Sequence, residues 1–334
     1  MRGAAAFALA VSASLLVLGP ASAQQSTTGS APPLVAPAPA LVPGGAPALA
    51  TAPGLTPSRA PAAAPAAGGT KSAAKCDNPN ALGVSRTVEI DTTGGPGFGF
   101  EHFKQLDFLR DHEVVLTFDD GPWPTTPAVL KALAAECVKA VFFPIGKHAT
   151  YYPEILRQVA AGGHTIGSHT WSHADLSRSK TPEEAKAEIE KAVSAVKWAL
   201  GDQGQEAPFF RFPALRHPPE MVTYLGTRNI AIFSTDMDSF DFKMRKPEQV
   251  IKSVMTRLQK HGKGIVLMHD FQKATSEAVP QLLAELKAGG YKIVHMKARG
   301  TVTSLPQYDE ELVKEAKLPT VSTRPVSSVV REVE

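Results

Sequence analysis

The sequence predicts an α/β fold built on a parallel sheet, either closed into a barrel or left open. Three observations lead there. Short apolar runs recur at residues 114–117, 140–145, 164–167, 209–212, 230–234, 264–268 and 291–295, seven in all, and runs of that length read as buried strands. Helix-patterned stretches separate them, and strand–helix alternation is what a parallel sheet requires. Acidic, histidine and arginine residues follow several of these runs, at the carboxyl ends of strands, where such folds keep their chemistry.

The chain has 334 residues and a net charge of +3, and no basic stripe points to nucleic acid as a partner. Arg2, the apolar residues 4–18 and Ala21-Ser22-Ala23 have the layout of a secretory signal over residues 1–23. No other stretch approaches the ~18 apolar residues of a membrane span, so no transmembrane domain is expected once the signal is removed. The expected location is secreted, in the periplasm or cell envelope. Residues 24–75 are almost entirely Ala, Pro, Gly, Ser and Thr, too poor in apolar side chains to offset the entropy of ordering, and read as a disordered, semi-stiff linker. Composition changes at Cys76. Cys76 and Cys137 are the two cysteines; in an oxidising compartment they bridge as a staple or stand as two separate buried thiols.

Residues 84–90 alternate like a strand and are broken by Thr92-Thr93-Gly94-Gly95-Pro96-Gly97, so residues 76–111 form an N-terminal extension packed on the main domain. The clearest helix starts at Thr181-Pro182-Glu183-Glu184, with Thr181 as N-cap, Pro182 at the first helical position and Glu184 completing a capping box. Further helices are expected over residues 127–136, 153–161, 247–260 and 276–288. The main domain runs over 112–298. Residues 299–334 are a polar tail with at most one short helix near 310–317.

Five features carry chemistry. Thr117-Phe118-Asp119-Asp120-Gly121-Pro122 ends a strand with two crowded carboxylates, an arrangement that raises one pKa unless a cation lies near. His169 and His173 are spaced i, i+4, which on a helical turn projects both imidazoles from one face, toward a first-row divalent metal. Arg211 follows an apolar strand in Phe210-Arg211-Phe212-Pro213 and needs a carboxylate partner if buried. Asp238-Ser239-Phe240-Asp241-Phe242 follows the next run. His269, in Leu267-Met268-His269-Asp270, stands at a strand end with a pKa suited to acid work.

In this order the five motifs resemble those of the polysaccharide deacetylase family (carbohydrate esterase family 4, the NodB-homology domain). The resemblance covers about residues 112–298. It implies a distorted seven-stranded (β/α) barrel that removes acetyl groups from an acetylated polysaccharide or oligosaccharide. It further implies one divalent metal, usually zinc with cobalt or nickel as alternatives, on Asp120, His169 and His173. Asp119 would be the base, held by Arg211, and His269 the acid, oriented by Asp241. Leu267 would shape the acetyl pocket, and the backbone N–H following Pro213 would face the oxyanion. A monomer is expected.

Two positions depart from the family pattern. Ala214 stands where the arginine motif normally ends in tyrosine, and Phe242 where the fourth motif ends in tryptophan. Both bear on substrate fit, as does Trp123, the expected sugar-stacking residue. His148, His261 and His295 read as surface or strand-end residues and His164 as a core histidine. Three other functions are weighed. A carbohydrate-binding protein on an inactive scaffold requires a missing catalytic residue, and none is missing. A glycosidase using Asp119 and Asp241 leaves the two histidines idle. A non-haem iron oxygenase leaves Asp119 and His269 unexplained.

Overall fold

A computed structural model describes residues 76–315; the signal at 1–23, the linker at 24–75 and the tail from 316 lie outside the described residues. The strands are β1 (Arg86–Ile90), β2 (Gly97–Phe98), β3 (Glu113–Asp119), β4 (Val141–Phe143), β5 (Thr165–Ile166), β6 (Phe209–Phe210), β7 (Ala231–Phe233), β8 (Met237–Asp238), β9 (Gly264–His269) and β10 (Lys292–Ala298). The helices are α1 (Thr126–Ala135), α2 (Gly146–Tyr151), α3 (Pro153–Ala161), α4 (Pro182–Leu200), α5 (Pro219–Thr227), α6 (Pro247–His261), α7 (Lys273–Ala288) and α8 (Pro306–Glu315).

Every strand pairing among the described residues is parallel. One sheet runs β8-β9-β3-β4-β5, and a second runs β6-β7-β2; a bridge between Ser168 and Phe210 joins them. The N-terminal extension enters this arrangement. β2 pairs with β7, Glu101 donates its N–H to the Thr235 carbonyl (3.0 Å), and β1 lies along β10. The run at 291–295 was expected to equal the other six. Instead β10 pairs mainly with β1 and meets β3 only at Lys292 and Ile293, and the two-residue β8, which has too few residues to show a period, takes the place beside β9.

β3 is buried at all seven positions, as a strand covered on both faces must be. Its side chains alternate. Val114, Leu116 and Phe118 pack in a cluster with α1, α6 and α7, whereas Val115 packs with Val141, Phe143, Phe209, Phe233 and Ile265. That second face continues through Thr117 to Asp119, so the period of two delivers Asp119 to the same side as this inner cluster.

Local corrections are few. Thr181 caps α4 by accepting the Glu184 N–H (3.2 Å), but the Glu184 carboxylate accepts from Lys180 N–H (2.9 Å) rather than from Thr181. Thr181 is extended (φ −135°, ψ 155°), and the N–H over the first turn is that of Lys180. α7 begins at Lys273, one turn before the expected start, because Thr275 gives its hydroxyl to Asp241 and is no cap. α8 begins at Pro306, four residues ahead of expectation, and docks on α4 through Lys191 to Glu311 (2.7 Å) and Lys197 to Asp309 (3.0 Å). Cys76 and Cys137 are bridged, with Cα atoms 5.8 Å apart, tying the extension to the end of α1. His295 is buried inside β10 against Thr165 Oγ1 (2.9 Å), not at a surface.

Candidate active site

Asp119 ends β3, and its side chain is 2% exposed. Its Oδ1 accepts from Arg211 Nη1 at 2.7 Å. Arg211, just past β6, is fully buried and fully engaged. Nη1 also donates to Thr117 Oγ1 (2.7 Å), Nη2 to the Ser234 carbonyl (2.9 Å) and Nε to the Phe233 carbonyl (3.2 Å), and the guanidinium lies over Phe143. A buried charge is tolerated when paired and bonded in this way.

Asp120 follows in the left-handed region (φ 71°), which turns its side chain away from that of Asp119. Its carbonyl accepts from His148 Nδ1 (2.6 Å). Its Oδ1 faces His169 Nε2 at 3.5 Å and His173 Nε2 at 3.4 Å, and this buried oxygen has no hydrogen-bond partner. His169 Nδ1 donates to the Arg211 carbonyl (2.7 Å), which leaves Nε2 as a lone pair aimed at Asp120. Burial, working against the attraction of Asp119 and Asp120, holds His169 toward the neutral form. One ligand atom from each of Asp120, His169 and His173 lies within 4.8 Å of the others. Two imidazole nitrogens and an orphaned carboxylate oxygen fit a divalent cation.

The histidine pair does not sit on a helical turn. Residues 167–174 are irregular, with Thr170 at φ 64° and His173 at φ 62°. The i, i+4 spacing held, but two left-handed residues bring the rings together where one turn of helix was expected.

His269 ends β9 directly beside Asp119 in register. Its Nδ1 donates to Asp241 Oδ1 (2.6 Å), and its backbone N–H to Asp241 Oδ2 (2.7 Å). Asp241 is fully buried and also accepts from Thr275 Oγ1 (2.5 Å). Burial opposes charge on His269, but the bond to Asp241 and the carboxylates of Asp241, Asp120 and Asp119 outweigh it, raising its pKa to about 9. His269 Nε2 lies 3.9 Å from Asp120 Oδ2.

The expected substrate residues surround this group at different distances. Phe242 is 47% exposed and presents its ring edge-to-face with His269, centroids 5.6 Å apart. Ala214 is exposed in a left-handed conformation (φ 52°) after the buried Pro213. Leu267 is buried in β9 opposite Thr117 and Asp238. Trp123 packs on His148 (4.9 Å) and Tyr152 (5.2 Å), so it joins the site through the histidine that holds Asp120. The cysteine pair belongs to the end of α1, away from these groups.

Two site residues escaped the sequence reading. His148 reads in the sequence as a surface or strand-end residue, since a lone histidine carries no spacing signal, but it donates to the Asp120 carbonyl. Asp270, next to His269, is fully buried and pushed up to about 7, first by that burial. It accepts from Thr126 Oγ1 and packs so tightly on Gly121 that no Cβ fits there.

A parallel α/β fold with a two-histidine, one-carboxylate group and a second, arginine-held carboxylate defines a class of metal-dependent hydrolase scaffold. The family profile described as polysaccharide deacetylase matches residues 109–230. A chitooligosaccharide deacetylase of Bradyrhizobium is 33% identical over 166 residues, 49% of this chain and 73% of that one. The chain belongs to the polysaccharide deacetylase family. A peptidoglycan-N-acetylglucosamine deacetylase of Listeria monocytogenes is 32% identical over 188 residues, 54% of this chain and 37% of that protein. A solved peptidoglycan deacetylase of Bdellovibrio bacteriovorus is 35% identical with a TM-score of 0.58, over 64% of this chain and 59% of the other. The chain thus spans only part of the length of these last two proteins. No described helix is long and apolar enough to cross a membrane.

Proposed function

We propose that this chain is a metal-dependent deacetylase that hydrolyses the acetyl amide of N-acetylated sugars in a polysaccharide or oligosaccharide, releasing acetate and a free amine. The observation that carries this reading is the different commitment of two adjacent carboxylates: Asp119 is held by Arg211 through Oδ1 at 2.7 Å with Oδ2 3.9 Å from His169 Nε2, while Asp120 Oδ1 faces both imidazoles at 3.4–3.5 Å. Zinc suits the donor set best, with cobalt or nickel as alternatives. Asp120, His169 and His173 would hold such an ion, which would supply Lewis acidity for the acetyl carbonyl and for the attacking water. Asp119, oriented by Arg211, accepts the proton of the attacking water. As the C–O bond forms, negative charge grows on the acetyl oxygen, and the backbone N–H of Ala214 would serve as its donor. His269 then delivers its proton to the sugar nitrogen, which cannot leave as an amide anion, and the C–N bond breaks. Asp241 fixes the ring so that Nε2, not Nδ1, carries that proton. Leu267 shapes the acetyl pocket, and Trp123 and Phe242 offer faces for the sugar. The catalytic unit is residues 112–298 with the 76–111 extension packed on it, and it works outside the cytoplasm, where the Cys76–Cys137 bridge is stable.

The glycosidase reading loses ground here. Asp241 is fully buried and committed to His269 and Thr275, so it cannot serve Asp119 as the second member of an acid–nucleophile pair. The test is acetate release from N-acetylglucosamine oligomers and from peptidoglycan, with zinc and after chelation. Zinc-dependent acetate with chain length unchanged is expected. Shortened chains would establish a glycosidase, and binding without product a carbohydrate-binding protein.

A further inference from the structure

We propose that Glu188, in the middle of α4, is the positioning residue that holds the metal-binding loop in its ligating shape. The inference rests on the metal-dependent reading above. The loop 169–173 is irregular and passes through two left-handed, non-glycine residues, Thr170 and His173. Such a path persists only when its surroundings fix it. One side is fixed by α2: Gly146 N–H donates to the Thr170 carbonyl and Lys147 N–H to that of Trp171, both at 2.9 Å. These bonds reach residues 170 and 171 and stop short of His173.

Among the described residues, the hydrogen bonds on the other side come from Glu188. Its carbonyl accepts the Trp171 N–H (2.7 Å). Its carboxylate accepts two donors from Ser172, the N–H on Oε2 and the hydroxyl on Oε1, both at 2.9 Å. A carboxylate is matched to this task because each oxygen takes one donor of the same residue. Ser172 immediately precedes His173, whose side chain is 41% exposed and is the least enclosed of the three ligands. His169 has its own anchor in the Arg211 carbonyl. Glu188 therefore sets where His173 stands relative to His169 and Asp120, and it does so without touching the ligand atoms.

The experiment is a zinc titration of the purified protein against a competing chelator, with the melting temperature of the metal-free protein as a second readout. Glu188→Ala is expected to weaken zinc binding about 10-fold, the range typical of groups that orient ligands, while the metal-free melting temperature stays near that of wild type. Glu188→Gln, whose amide oxygen still accepts the Ser172 N–H, is expected to restore affinity to within about 3-fold of wild type, since only the charge-assisted part of the contact is lost. Excess zinc should recover turnover in Glu188→Ala. A lower metal-free melting temperature with unchanged zinc affinity would make Glu188 merely structural and overturn the inference. Should Glu188→Ala not fold, Glu188→Asp, which withdraws the carboxylate by one carbon, is read by the same two outcomes. Wild-type protein that takes up no zinc would overturn the metal-dependent reading as well, whereas uptake equal in wild type and variant overturns this inference alone.

Discussion

Asp119 and Asp120 are neighbours in the chain with opposite surroundings. One is bound to a buried guanidinium, and the other faces two imidazole nitrogens with an oxygen left unpaired. Their substitutions should therefore separate. Asp119→Asn is expected to keep the metal and lose turnover by about 10²–10⁴-fold, the contribution usual for a positioned base. Asp120→Ala is expected to lose the metal itself. Metal stoichiometry measured beside kcat distinguishes the two, and equal metal loss in both would refute the division. His269 makes a pH prediction. As the proposed acid it would act only while protonated, so activity should fall as pH rises through its pKa. Its bond to Asp241 helps hold that pKa up, and Asp241→Asn should move the alkaline limb of the pH–rate profile to lower pH. An unmoved limb would exclude His269 as the acid.

β3 and its neighbours show how local patterning becomes position. The alternation that sends Leu116 and Phe118 to the helices sends Thr117 and Asp119 to the inner face. At the start of the same strand, Glu113 accepts from Arg86 Nε (2.8 Å) and Nη2 (2.6 Å) and from Arg110 N–H (2.8 Å), clamping the extension to the sheet. The bond to Arg86 leads in lowering the Glu113 pKa to about 2 from an ordinary 4.5. A depressed carboxylate stabilises the fold above its unfolded pKa and loses that effect as pH falls through the folded one. Glu113→Gln should thus cost at most about 3 kcal/mol near pH 7, and less to the extent that solvent screens the partly exposed Arg86. Its denaturation midpoint should converge with that of wild type as pH drops from about 4.5 toward 2. A constant gap across that window would show that the ionised clamp contributes nothing.

Taken whole, the domain is fastened at its beginning and its end. β1 and β2 add strands to two sheets, α8 is salted onto α4, and the Cys76–Cys137 bridge closes a span of 61 residues. Cross-linking a span of that size restricts the unfolded chain. Cys76→Ala is expected to lower stability by about 2–4 kcal/mol with the zinc affinity intact. Chemical denaturation of the two proteins measures it, and an unchanged midpoint would leave the bridge without a stabilising role. Glu188 belongs at this level too, since it couples α4, on which α8 docks, to the loop that carries His169 and His173.

Read alone, the sequence carried the class of the fold and the candidate residues of the site. Strand and helix periods are local properties, and metal-binding and proton-transferring groups are recognised by residue type and by the strand ends they follow. It therefore delivered Asp119, Asp120, His169, His173, Arg211, Asp241 and His269 as a set. It misjudged what depends on distant contacts. The histidine pair looked helical because spacing does not record backbone handedness. His148 and Asp270 looked ordinary because their roles come from Asp120, Gly121 and Thr126, 28 to 149 residues away. β10 looked like one more stave because only the partner strand decides where an apolar run is placed. Tertiary structure decided these points for one physical reason: a buried polar group must be satisfied by whichever partner the fold brings near, and that partner is rarely its neighbour in the chain.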